Sequence, residues 1–181
     1  MKHHGMSLGL ALLALLAACG KVQEATAEKA IEAELAKQGG GSAKVDLSSG
    51  GTQITTTDAT GKTTQMQMGG AQVGEADVGL PFYPGSKPLE GGASRITTPE
   101  GSMISIGLHS DDAPEKVAEF YRAKLKAQAT GKQFMDMSGG DGGATLMLAD
   151  DKQQGAIQVH VGKADSSGTD FQIVANRKAA P

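Results

Sequence analysis

Two Met-x-Met pairs stand out as residues able to do chemistry, "MQM" at 66–68 and "MDM" at 135–137. On a strand, residues i and i+2 share a face, so each pair would present two thioethers together. Soft thioether ligands select Cu(I). The plainer alternative is packing, because Met is a flexible filler and alternate apolar residues are what a half-buried strand requires. Met103 and Met147 have no spacing that specifies a metal. The histidines His109 and His160 are the other reactive side chains beyond the N-terminal segment. "HSDD" at 109–112 holds a His, a Ser and two acids, but neighbours on a strand point to opposite faces. Asp112 is explained by helix capping, and a catalytic site would need His109 and His160 to meet across strands. "TGKT" at 60–63 has Thr56 where a phosphate-binding loop needs its first glycine. "GGDGG" at 139–143 and "DDKQQG" at 150–155 lack the alternating acids and closing Glu of an EF-hand loop. No group has the spacing of a catalytic, cofactor or metal site, so neither enzymatic activity nor a cofactor is expected.

The clearest chemical signal is Cys19, the only cysteine of the 181 residues. Lys2 and the apolar run Leu8–Ala18 read as a secretory signal, too short for a bilayer span of about 20 residues. The sequence "LAACG" at 16–20 resembles the lipobox of bacterial lipoproteins. That resemblance implies removal of residues 1–18 and lipid on Cys19. More than one acyl chain is needed for a firm anchor, and bacterial lipoproteins carry two or three. Gly20, rather than Asp, follows the Cys, a pattern that implies the outer membrane and its periplasmic face.

Loss of Lys2 leaves 16 basic residues against 20 acidic, a net charge of −4. With no basic block, nucleic-acid binding lacks its electrostatic footprint. A single cysteine excludes an internal disulfide, so stability must come from packing.

The elements that must position these residues fall into two unequal parts. After a tether at 19–25, "TAEKAIEAELAKQ" at 26–38 reads as a helix with Thr26 as its N-cap and Gly39 just past its end. "AKVDLS", "TQITTT" and "KTTQMQM" read as a three-stranded antiparallel meander. This subdomain is 26–78, and residues 22–78 hold only ten large apolar residues and no aromatic. So little core must lean on the rest of the chain, a partner or a second copy.

All six aromatics lie beyond it. A strap, 79–88, carries Phe82 and Tyr83 between Pro81 and Pro84, with Pro84-Gly85 suited to a type II turn. One ring is expected on each part; otherwise Phe82 and Tyr83 form a docking point for a partner. The larger part, 89–178, reads β-β-α-β-β-β-β. Its hairpin turns at "PEG" (99–101), and its helix at 113–128 has an Asp112/Glu115 capping box. Strands follow near 132–138, 143–149, 155–161 and 169–177. The fold class is α+β: a helix and meander, then one helix packed on an antiparallel sheet.

Pro81, Tyr83, Pro84 and Gly85, followed by Asp112, Pro114, Val117, Phe120 and Tyr121, give the chain a further likeness. It resembles uncharacterised lipoproteins of Proteobacteria that share a Pro-x-Tyr-Pro-Gly segment, a strand pair and a Val-x-x-Phe-Tyr helix. The resemblance covers about residues 79–126 and implies an envelope location, with no transferable chemistry. The expected protein is a lipid-anchored binding or assembly module at the membrane surface. The alternative is an envelope Cu(I)-binding protein using Met66, Met68, Met135 and Met137. Replacing Cys19→Ser should move the protein from the membrane fraction to the soluble one; fractionation showing an unchanged distribution would refute the anchor.

Overall fold

In the computed structural model, the described residues are 21–47, 50–139, 143–150, 155–165 and 168–179. The leader and Cys19 lie outside them. Helix α1 (Lys21–Gly39) precedes a meander of β1 (Ser42–Asp46), β2 (Thr52–Thr57) and β3 (Thr63–Met68). A single turn of helix, α2 (Glu75–Val78), leads to the hairpin β4 (Lys87–Thr98) and β5 (Gly101–Ser110). Helix α3 (Pro114–Ala127) then crosses to β6 (Lys132–Ser138), β7 (Ala144–Asp150), β8 (Gly155–Asp165) and β9 (Gly168–Lys178). The fold is α+β, as expected.

All nine strands form one antiparallel sheet in the order β1-β2-β3-β4-β5-β9-β8-β7-β6. The meander is therefore continuous with the larger part, because β3 pairs with β4 through Met66↔Ile96 and Met68↔Ser94. The return of β9 onto β5 closes the other junction, with Ile104↔Ala175 and Ile106↔Ile173 in register. Helix α3 spans the strands between β5 and β6 on one face.

Side-chain alternation makes the sheet bury opposite faces at its two ends. At the β5–β7 end, Ile106, Ile173, Val159 and Leu146 share one register row and are all buried. They form one core with Val117, Tyr121 and Leu125 of α3 and with Val78 and Leu80. At the β1 end, the apolar row Val45, Ile54, Met66, Ile96, Met103 belongs to the other face. Val45 is buried while Lys44 is exposed, which places α1 on Val45's face.

Two helix ends differ from expectation. Helix α1 is already formed at Lys21, the first described residue, since nothing between 21 and 26 breaks a helix, and Thr26 lies within it. Its left-handed residue is Gly40, φ 65°, one position beyond Gly39. In α3 the N-cap is Ala113, held extended by the following proline, and no side chain caps the helix. Asp112 is thus displaced from the N-cap.

Candidate functional site

The strap forms the turn its sequence requires. Ser86 N–H donates to the Tyr83 carbonyl at 3.0 Å, and Gly85 takes φ 76°, the positive value a type II turn demands. Phe82 and Tyr83 are both half-buried, and both pack on the same core. One ring on each part, as expected from the sequence, is not what forms. The physical reason lies in the face switch: on the strap's face the meander offers Lys44, Gln53, Thr55, Gln65 and Gln67, which give an aromatic nothing to bury against.

Tyr83 is held at both ends. Its N–H donates to Tyr121 Oη at 2.9 Å, and its hydroxyl donates to Asp112 Oδ2 at 2.8 Å. Its ring meets Phe120 edge-on, centroids 5.3 Å apart, and Phe171 at 6.4 Å. The neighbouring Phe82 N–H donates to Glu75 Oε1 at 2.8 Å. Burial raises the pKa of Tyr83, and the Asp112 carboxylate adds to the rise. Burial likewise pushes the Tyr121 hydroxyl well above its ordinary value. Asp112 is the point where these contacts meet. Its N–H donates to Ser110 Oγ at 3.2 Å and its carbonyl accepts from Thr169 Oγ1 at 2.7 Å. Its carboxylate accepts from Lys116 Nζ at 2.8 Å, which lowers its pKa, helped by the Tyr83 hydroxyl. "HSDD" is thus a brace: buried Ser110 and half-buried Asp112 hold backbone in place.

His109 and His160 share a face, but β9 lies between their strands and they do not pair. His109 Nδ1 is 2.7 Å from Asp170 Oδ1, and His160 Nδ1 is 3.1 Å from Thr145 Oγ1. Neither lines any of the four main clefts. The largest cleft, about 380 Å³ beside the C-terminal end of α1, is walled by threonines and by a Lys62–Glu100 pair at 3.2 Å. "TGKT" is a closed hairpin turn in which Asp58 Oδ1 accepts from the N–H groups of Thr60 and Lys62, at 2.8 and 3.0 Å.

The two Met-x-Met pairs do lie on one face, yet their strands stand six positions apart in the sheet, roughly 29 Å. They cannot share an ion. The register places Met103 and Met147 on that face too, so all six methionines of the described residues are on it.

The two sheet edges differ in a way the sequence reading missed. Along β1, the outward N–H groups of Val45 and Leu47 donate to Glu32 Oε1 and Glu28 Oε1, each at 2.9 Å. Glutamates four apart on α1 match N–H groups two apart on the strand; that spacing was the available signal. Along β6, Gly139 N–H donates to Gly143 while Lys132 N–H turns away to Ala129. Antiparallel alternation then points the N–H and C=O groups of Phe134, Asp136 and Ser138 outward. Among the described residues no helix carboxylate covers them.

Among the described residues no three His, Cys, Asp or Glu side chains cluster as metal ligands, and no helix is long and apolar enough to cross a membrane. No family model, curated protein or solved structure matches the chain.

Tyr121→Phe should leave the Tyr83 N–H without its acceptor and cost about 1–3 kcal/mol in urea unfolding. Because the native pKa of Asp112 is depressed, its contribution is present above the ordinary carboxylate range and is lost as pH falls through the lowered value. The stability gap between wild type and Asp112→Asn should therefore be widest near pH 7 and close on acidification; a gap that widens in acid would contradict the assignment.

Proposed function

We propose that this protein is a lipid-anchored module of the cell envelope that takes up an extended segment of a partner protein along β6. It acts by binding rather than catalysis. The observation that carries the reading is the unequal treatment of the two edges. An open edge templates strand pairing, and β-augmentation uses that property for recognition. Here one edge is closed by Glu28 and Glu32, and the other presents three consecutive outward residues.

The lipobox resemblance at Cys19 and the proteobacterial likeness of the strap and α3 support the envelope location. Anchorage and docking would occupy opposite ends of the sheet. Cys19 is two residues before Lys21, the first described residue of α1, which lies along β1, whereas β6 is eight strand spacings away, roughly 38 Å along the sheet. A segment added there would run beside Arg122, Asp136 and Phe134 on one face and Met135 and Met137 on the other. Phe82 and Tyr83, half-buried and hydrogen-bonded through their N–H groups, serve as braces in this reading.

A photo-crosslinking residue at Ser138, compared in intact cells with one at Ala43 on β1, tests the reading. Asp136→Pro removes an outward N–H without touching the ladder to β7, and Asp136→Asn keeps it. A defined protein adduct should form from Ser138 and not Ala43, persist in Asp136→Asn and disappear in Asp136→Pro. Equal adducts from both edges, or an adduct unaffected by Asp136→Pro, would overturn it.

A further inference from the structure

We propose that Met135, Met137, Met147 and His160 form a Cu(I) site on the open face of β6, β7 and β8. The sheet assembles this group from three strands, and no single sequence motif contains it. Met135 lies directly opposite Met147 in the β6–β7 register, a separation of about 5.5 Å between Cα atoms. Met137, two residues along, lies diagonally across from Met147, about 7–8 Å away. Met137, Thr145 and His160 then make one row across the three strands. Met137 and His160 are two strand spacings apart, about 10 Å, with only the small Thr145 between them.

Three features specify the metal class. The ligands are soft: thioethers select Cu(I), and imidazole suits copper. The other positions of this face on these strands, Gln133, Thr145, Ala149, Ala156 and Gln158, carry no carboxylate, and Asp170, on β9 diagonal to His160, has its Oδ1 2.7 Å from His109 Nδ1. Asp136 projects to the opposite face, where Arg122 Nε holds it at 2.6 Å. The histidine also has the outer contact that metal-ligating histidines use. Thr145 Oγ1 lies 3.1 Å from His160 Nδ1, and in the tautomer that donates Nδ1–H to it the Nε2 lone pair is left for the ion. Met137 is 56% exposed and Met135 37%, so an ion can enter from solvent. Met66 and Met68, far along the sheet and without a histidine, are no part of this site.

The site is independent of partner docking at the β6 edge, and its test reads metal rather than adducts. Purified full-length mature protein is titrated with Cu(I) under anaerobic, reducing conditions against a chromophoric competitor, with Ag(I) as a redox-inert surrogate. Methionine methyl NMR reports which thioethers respond. One equivalent should bind below micromolar Kd, with the methyl signals of Met135, Met137 and Met147 shifting. Met135→Leu with Met137→Leu should abolish binding, and Thr145→Val should weaken it by about tenfold or more. Met66→Leu with Met68→Leu should leave it unchanged. Leu replaces Met at similar volume, and urea midpoints near wild type verify that the variants fold. No submicromolar binding, binding retained without Met135 and Met137, or binding lost without Met66 and Met68 would overturn the proposal.

Discussion

Everything in this molecule depends on one continuous antiparallel sheet of nine strands, whose register shifts only between Pro88 and Ala93 and between Val161 and Ala164. A one-residue slip anywhere would send a strand's apolar set to the wrong side. The register must also serve both faces of the sheet. At one end Ile106, Ile173, Val159 and Leu146 face α3. At the other, Val45 and Ile54 face the side on which α1 lies. A meander with so few large apolar residues would be marginal alone. It is held because β3 is hydrogen-bonded to β4, making it an extension of a well-packed sheet. The same register gathers all six methionines on one face and so brings Met135, Met137, Met147 and His160 together.

The strap completes the larger core. Val78 and Leu80, fully buried, come from the connection between the two parts of the chain. The turn after Tyr83 then carries the chain into β4. Asp112 fixes the geometry from the other side, tying the strap, the end of β5, the start of β9 and the first turn of α3 to one residue. Such a dense set of hydrogen bonds explains why two rare aromatics sit between prolines: the prolines set the backbone, and Tyr83 and Tyr121 lock it.

Local pattern made most elements legible. The strand expected at 132–138 is β6 itself, and the helix expected at 113–128 is Pro114–Ala127. Helix ends were less so. Asp112 and Glu115 have the spacing of a capping box, but Pro114 moves the N-cap to Ala113 and leaves Asp112 to Tyr83 and Lys116. Helix α2 is a single turn with no periodicity to detect. Which strands become edges was beyond local reading, because it follows from β9 returning to β5, with partners 59 to 77 residues apart, from Ser110↔Thr169 to Gly101↔Lys178. The shared methionine face was hidden for the same reason: Met66 and Met137 are related only through five intervening strands.

Among the described residues the sheet has one edge closed by side chains and the other left open. Residue-resolved amide hydrogen exchange on the isolated protein tests that most directly. The amides of Val45 and Leu47 should exchange slowly, held by Glu32 and Glu28, while those of Phe134, Asp136 and Ser138 exchange fast. Protection at 134, 136 and 138 equal to that of Ile173 in the central strand β9 would contradict it.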